Sequence, residues 1–255
     1  MMAAARPATG ISLTCVVPCF NEAEILDDTL QIFITDLSSL GGVVDDFEIV
    51  VVDDASSDNT AAIAERWAAK DPRVRLVRHA RNQGVGAGIM TGFQAATKDW
   101  LTVNCADRPF SNADIASFGS LFEGADIVVV EREDRSANTP YRKLTSLVNY
   151  ALIRILFRIP VADCQFAQFY KASRVRSYRI LSKGSMVPPE LILRAARDGA
   201  RIARVMLRFH PRPGGVAKYG HPKHAVKAVV EMAQLKWALW HESRAERRRA
   251  TLTSN

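Results

Sequence analysis

The stretch FEIVVVDDASSDNT, residues 47–60, decides the fold. An apolar run as short as 49–52, bounded by acids, predicts a strand buried on both faces, as in a parallel sheet. It ends in two adjacent carboxylates, Asp53 and Asp54. Small polar residues then lead to a helix over 58–70, with Asp58 as its N-cap. Paired charges at a buried strand end cost stability unless they are hydrogen-bonded or hydrated. A ligand-binding role therefore outweighs a turn-and-capping role here.

Outward from this stretch the pattern repeats. ISLTCVVPCF (11–20) reads as a buried strand ending at Pro18, and 21–40 as a helix with apolar Ile25, Leu26, Leu30, Phe33, Ile34 and Leu37 at three- and four-residue spacing. Strands follow at 74–80, 101–104 and 125–131, with helices at 84–97 and about 112–122 between them. Alternating strands and helices of this kind predict an α/β fold with a mostly parallel sheet covered on both faces. Ligands then bind beyond the carboxyl ends of the strands. Phe20, Asn21, Glu22, Asp53, Asp54, Arg81 and the triplet Cys105-Ala106-Asp107 all fall at those ends.

The chain has 255 residues, 48% hydrophobic and 24% charged, which suits a folded domain with a full core. The net charge of +7 is divided unevenly. Residues 1–130 hold 9 Lys and Arg against 18 Asp and Glu, and residues 131–255 hold 25 against 9. A basic half of this strength calls for an anionic partner. Nucleic acid ranks last among the choices, because no stacking motif or recognition module accompanies the charge. No apolar run approaches membrane-spanning length. The four cysteines, Cys15, Cys19, Cys105 and Cys164, lack metal-type spacing and read as buried thiols; His221 and His224 read as surface residues. Helices are expected at 144–159, 188–198 and 223–241, with a strand from 201 and a basic tail after 243. Residues 1–10 read as a tail, 11–222 as the main domain divided near 130, and 223–255 as an amphipathic helix with its tail.

Two further motifs sharpen the picture. RHARNQGVGAGIMTGF (78–93) opens a helix with Gly84, Gly86 and Gly88, either for close packing or for backbone approach to a ligand, with Arg81 nearby. WLTVNCADRPF (100–110) is a strand that ends in a single acid, Asp107. Taken with VVPCFNEAEIL (16–26) and VVDDASSDNT (51–60), these occur in the order and spacing of family 2 glycosyltransferases of the GT-A fold. Over about residues 12–220 the chain most resembles the dolichyl- or polyprenyl-phosphate sugar transferases.

The resemblance implies inverting transfer from a nucleotide-sugar donor to a polyprenyl phosphate, by a protein in peripheral contact with the cytoplasmic face of a membrane. A separate membrane-embedded partner subunit is compatible with it. Pro18, Phe20, Asn21, Glu22, Asp53, Asp54, Arg81, Gly84, Cys105 and Ala106 would line the donor pocket. Arg132, Arg135, Arg142, Lys143 and Ser146 would meet the acceptor phosphate, and Arg212 with Lys218 would close over the diphosphate. Asp107 would be the remaining ligand for Mg²⁺ or Mn²⁺. The family pattern at this strand end is Asp-Ala-Asp followed two residues later by Gln; here Cys105 and Pro109 stand in two of those places. A hard cation prefers oxygen ligands, so the metal site is weakened. Asn104 would supply an amide oxygen only if the strand register shifted by one, and Arg108, Arg212 and Lys218 are cations able to stand in for the metal. Two rival readings stay open. One is transfer to a saccharide or other non-lipid acceptor, with Asp163 or Glu190 as base. The other is a non-catalytic nucleotide-sugar-binding protein.

Overall fold

The computed structural model describes residues 10–133, 140–159, 161, 163, 164, 166–207 and 222–253, with side chains left out at 140–147, 222–225 and 245–253. Seven strands form one sheet in the order β3-β2-β1-β4-β6-β5-β7. The first half runs β1 (Ile11–Cys19), α1 (Ala23–Ser38), β2 (Val44–Asp53), α2 (Thr60–Lys70), β3 (Val74–Arg78), α3 (Val85–Ala95) and β4 (Trp100–Val103). A 3₁₀ turn (Asn112–Phe118), α4 (Leu121–Gly124) and β5 (Ile127–Arg132) follow. The second half holds α5 (Pro140–Phe157), β6 (Ala167–Lys171), α6 (Ala172–Ser177), α7 (Val187–Arg197), β7 (Ile202–Leu207) and α8 (Pro222–Thr253).

The strand period of two sorts side chains to the two faces of the sheet. Leu13, Cys15, Val17, Ile49 and Val51 meet Leu30, Phe33, Trp67 and Phe118 on one face. Val16, Val50 and Val52 meet Ile89, Phe93, Leu191 and Leu235 on the other. The central strands are buried on both sides, as the run at 49–52 predicts.

Three features depart from the sequence expectation. β6 has no counterpart in it and lies antiparallel to both β4 and β5. Its five residues divide between the two cores, with Ala167 and Phe169 on one face and Tyr170 on the other, so neither period is long enough to read. The helix expected over 112–122 splits at Gly119, where a Cβ would lie 2.6 Å from Val43 Cγ1. Finally, α8 runs on through Thr253, taking the segment read as a basic tail into the helix.

All strands except β6 are parallel, so β1, β2, β4 and β5 deliver their carboxyl ends to one edge. β1 is flanked by β2 on one side and β4 on the other, a topological switch point of the kind at which open α/β sheets bind ligands.

Candidate active site

Three of the four described non-glycine residues with positive φ sit at this edge: Asn21 (53°) after β1, Ala55 (59°) after β2 and Arg108 (48°) after β4. Left-handed backbone costs a side-chain-bearing residue about 1–3 kcal/mol and persists only where its surroundings hold it. The surroundings are hydrogen bonds between loops. Asn21 N donates to Ser56 Oγ (3.0 Å), and Ser57 N donates back to Asn21 Oδ1 (2.8 Å). Glu22 N donates to Thr60 Oγ1 (2.9 Å). Asp58 accepts from Thr60 N (3.0 Å) and from Ala23 N (3.1 Å), so it clips the start of α1 to the start of α2 and does not cap α2 alone. Although burial opposes it most, these bonds together hold the Asp58 carboxyl below its ordinary range.

The two adjacent carboxylates have opposite fates. Asp54 is turned into the fold, accepting from His79 Nδ1 (2.7 Å), Gln83 N (2.8 Å) and Gly84 N (2.8 Å). His79 is fixed in turn by Thr91 Oγ1 at 2.9 Å. Asp54 therefore shapes the loop 79–84, with both of its carboxylate oxygens engaged. Asp53 accepts only Ser56 N (3.1 Å) on one oxygen, while its Oδ2 is fully buried without a hydrogen bond, 3.5 Å from Arg78 Nε. A buried acceptor left open in this way is a natural place for a ligand donor.

The glycines also separate. Gly84 takes φ 88° and needs its missing side chain for the turn. Gly86 and Gly92 serve packing: a Cβ would lie 2.4 Å from Gly184 O at the first and 2.2 Å from Val16 Cγ1 at the second. At Gly88 it would meet Pro18 Cβ at 3.2 Å, which presses α3 against β1. Phe20, just after β1, is 40% exposed, and Arg81 is exposed on the loop.

At the end of β4, Ala106 is buried and its carbonyl accepts from Thr29 Oγ1 (2.8 Å), fastening this loop to α1. Cys105 and Asp107 are half-buried, and Arg108 N closes a turn on Cys105 O (2.9 Å). Val103 pairs with Val16, and Asn104 N donates to Val16 O (3.1 Å), so the register is unshifted. The Asn104 amide is fully buried and donates to Phe110 O (3.2 Å) and Asn112 Oδ1 (3.0 Å). Its Nδ2 serves the loop, while Oδ1 is buried without a hydrogen bond. Among the described residues no three acidic, His or Cys side chains converge as a cation site. One carboxylate and one thiol do not make a self-contained site for a hard cation.

On the basic side, Arg132 ends β5 at the same edge. Its Nε donates to Asp163 Oδ2 (2.6 Å), Nη2 meets the Tyr150 hydroxyl, and the guanidinium lies 5.4 Å over Phe166. Burial above all pushes the Tyr150 hydroxyl well above its ordinary range, so it remains a donor or acceptor and never an anion. Cys164, beside this pair, is pushed up to about 12 by burial and then by the Asp163 charge, which makes it inert as a thiolate. Glu190 is fully buried, accepting from Leu181 N (3.0 Å), Ser182 N (2.8 Å) and Arg194 Nε (2.8 Å). Asp163 and Glu190, the two candidate bases, are thus both held by arginines. Tyr150 is absent from the sequence expectation, since nothing in a lone Tyr within an apolar helix marks it. Arg135, Arg212 and Lys218 lie outside the described residues, as do the side chains of Arg142, Lys143 and Ser146.

The family relation is direct. Residues 14–179 match the family described as Glycosyl transferase family 2. Undecaprenyl-phosphate mannosyltransferase of Micrococcus luteus is 28% identical over 214 residues, 80% of this chain and 85% of that one. Glycosyltransferase AglD of Haloferax volcanii is 28% identical over 220 residues; these are 82% of this chain and only 35% of the relative, so the chain spans about a third of its length. Among solved structures, glucosyl-3-phosphoglycerate synthase from Mycobacterium tuberculosis, in complex with Mn²⁺, UDP and phosphoglyceric acid, superposes with a TM-score of 0.65 at 20% identity. The match covers 89% of this chain and 78% of that one, and it establishes a shared GT-A fold. The chain belongs to glycosyl transferase family 2.

Proposed function

We propose that this glycosyltransferase moves a sugar, with inversion, from a nucleotide-sugar donor to a polyprenyl phosphate. The observation that carries the reading is the state of Asp163 and Glu190. A hydroxyl acceptor needs a general base, and both buried candidates are paired with arginines. A phosphate monoester has its second pKa at about 6 and is already ionised near neutral pH, so it needs cations and no base. Arg132 stands at the strand edge with its Nε and Nη2 fixed by Asp163 and Tyr150. That arrangement aims the guanidinium, and Arg135, Arg142, Lys143 and Ser146 would complete the acceptor-phosphate site. Relatives point the same way in their names: besides the Micrococcus protein, a dodecaprenyl-phosphate galacturonate synthase of Rhizobium johnstonii is 24% identical over 243 residues.

On the donor side, Pro18, Phe20, Asn21, Glu22 and the open oxygen of Asp53 would hold the nucleotide, with Arg81 and Gly84 beside them. Cys105, Ala106 and Asp107 would face the diphosphate, and Arg212 and Lys218 would close over it. The chain brings one carboxylate, Asp107, to any Mg²⁺ or Mn²⁺, so such a cation would be held chiefly by the donor's own phosphates. Contact with a membrane would run through α8 and α5. Trp237 and Trp240 are 65% and 52% exposed, Ile155 is 74% exposed, and Arg244 lies 5.1 Å over Trp240. Exposed tryptophans backed by cations suit an anionic lipid interface. Among the described residues no helix is long and apolar enough to cross a membrane.

The degraded Asp-Ala-Asp pattern favours a second reading, a nucleotide-sugar-binding protein without turnover. A panel of nucleotide sugars offered with a short polyprenyl phosphate separates the readings. Transfer to the lipid phosphate alone is the expected result. Transfer to saccharides without lipid would reassign the acceptor, and donor binding by calorimetry without any transfer would favour the binding protein.

A further inference from the structure

We infer that Arg108 is a ligand of the donor's diphosphate, carrying charge that a metal-binding carboxylate pair would otherwise deal with through a cation. The inference rests on the nucleotide-sugar reading above. Three observations converge on this side chain. Its backbone is left-handed (φ 48°) although a proline follows, and the residue before proline is normally driven to extended conformations. The turn that imposes this conformation is closed by Arg108 N on Cys105 O at 2.9 Å, so the strain belongs to the same loop that carries Asp107. Second, its Nε is buried without a hydrogen-bond partner, and among the described residues the guanidinium forms no ion pair. Other arginines inserted into the fold do: Arg132 with Asp163 and Arg194 with Glu190. An unpaired buried guanidinium nitrogen is costly unless an anion arrives to meet it. Third, the loop holding it has one carboxylate and a thiol, and no cation cluster among the described residues.

The chemistry balances without an added group. An oxygen of the acceptor phosphate attacks the anomeric carbon, and the bond from that carbon to the donor's β-phosphate oxygen breaks. The electron pair leaves with the nucleoside diphosphate. No proton has to move, and the charge gained by the leaving oxygen is met by the planar fork of an arginine, which suits phosphate better than a lysine does.

The test is calorimetry of UDP and GDP binding to the full chain, in EDTA and in Mn²⁺, with the matching nucleoside monophosphates as controls. Wild type is expected to bind one diphosphate in EDTA with an affinity within about tenfold of that in Mn²⁺, since charge-assisted bonds to arginine substitute for the cation. Arg108→Met is expected to weaken diphosphate binding in EDTA by about 30-fold or more, the effect of removing one partner of a desolvated charge pair. Its monophosphate affinity should move by less than about threefold, a split that a merely collapsed loop would not give. Arg108→Gly relieves the left-handed strain and should melt no earlier than wild type, yet lose the same binding. Diphosphate binding that appears only with Mn²⁺, or that Arg108→Met leaves intact in EDTA, overturns the inference and leaves the donor reading standing. Where UDP and GDP both fail, ADP, CDP and dTDP are offered in turn, and failure of all five under either condition overturns the donor reading itself.

Discussion

The two halves of the molecule hold their buried acids in different ways. Before residue 125 the partners include main-chain N–H groups: Gln83 and Gly84 for Asp54, Thr97 N at 2.6 Å for Glu48 and, at the surface, Thr60 and Ala23 for the exposed Asp58. Beyond it arginines take a larger share, with Arg132 on Asp163 and Arg194 shared between Glu190 and Glu242, although Glu190 also accepts from Leu181 N and Ser182 N. Asp126, at the boundary, uses both, accepting from Arg201 N (3.0 Å) and pairing with Arg174 and Lys171. Main-chain donors have no rotamers and cannot change partner without refolding a loop. Guanidinium groups can. The loops at the ends of β1 and β2 are thus built in advance, while on the reading proposed above the Arg132–Asp163 pair is one that an incoming phosphate would join or replace.

Removing a main-chain-held acid should do the most damage. Asp54→Ala leaves two loop N–H groups and His79 without their acceptor and should lower unfolding free energy by about 3 kcal/mol, read from urea denaturation. Added phosphate should not restore it. Asp163→Asn should come next, costing about 2 kcal/mol because it uncouples a largely buried arginine. Here millimolar phosphate should raise the urea midpoint more than it does in wild type, since Arg132 gains the anion it lacks. Equal phosphate responses in the two variants would erase the distinction between the halves.

Acid provides a gentler probe of both. Hydrogen bonds from Thr97, Thr14 and Arg75 outweigh burial and hold Glu48 below its ordinary 4.5, while Arg201 N first and then Arg174 and Lys171 hold Asp126 below 3.8. A depressed folded pKa gives stability that is complete above the unfolded value and disappears as pH falls through the folded one. The urea midpoint should therefore be flat above about pH 5.5 and decline below about pH 4.5, with Asp126→Asn flattening part of that decline. The smallest effect on folding is expected for the joint change of Trp237 and Trp240 to Ser, under about 0.5 kcal/mol because both rings are exposed. The same variant should lose most co-sedimentation with anionic vesicles; unchanged binding would remove α8 from the membrane contact.

Much of this was legible in the residues, and the gaps have physical causes. Uninterrupted apolar runs mark β1 and β2, and the polar clusters after them mark the edge to which these strands deliver their carboxyl ends. Asp53 and Asp54 looked equivalent because their difference lies in which loop folds over which face, and that loop, residues 79–84, is more than 20 residues away. Arg132 was named without its partner, since Asp163 stands 31 residues further on. The reading of the glycines as either packing or ligand approach resolved one by one: Gly86 and Gly92 answer to neighbouring atoms, Gly84 to its own φ. β6 escaped because five residues divided between two cores show no period.

That antiparallel strand also has a consequence for how the chain is made. β1 to β4 form a contiguous block of the sheet in which each strand finds a neighbour among these four. β5 does not, because among the described residues its neighbours are β6 and β7. On a ribosome adding about 5–20 residues per second, the apolar strand Ile127–Arg132 would wait roughly 2–8 s for Ala167–Lys171 to be synthesised. For that interval a Val-rich strand has both backbone edges open, the condition under which nascent chains pair with one another. The length of that exposure is thus set by strand order, before any substrate is met.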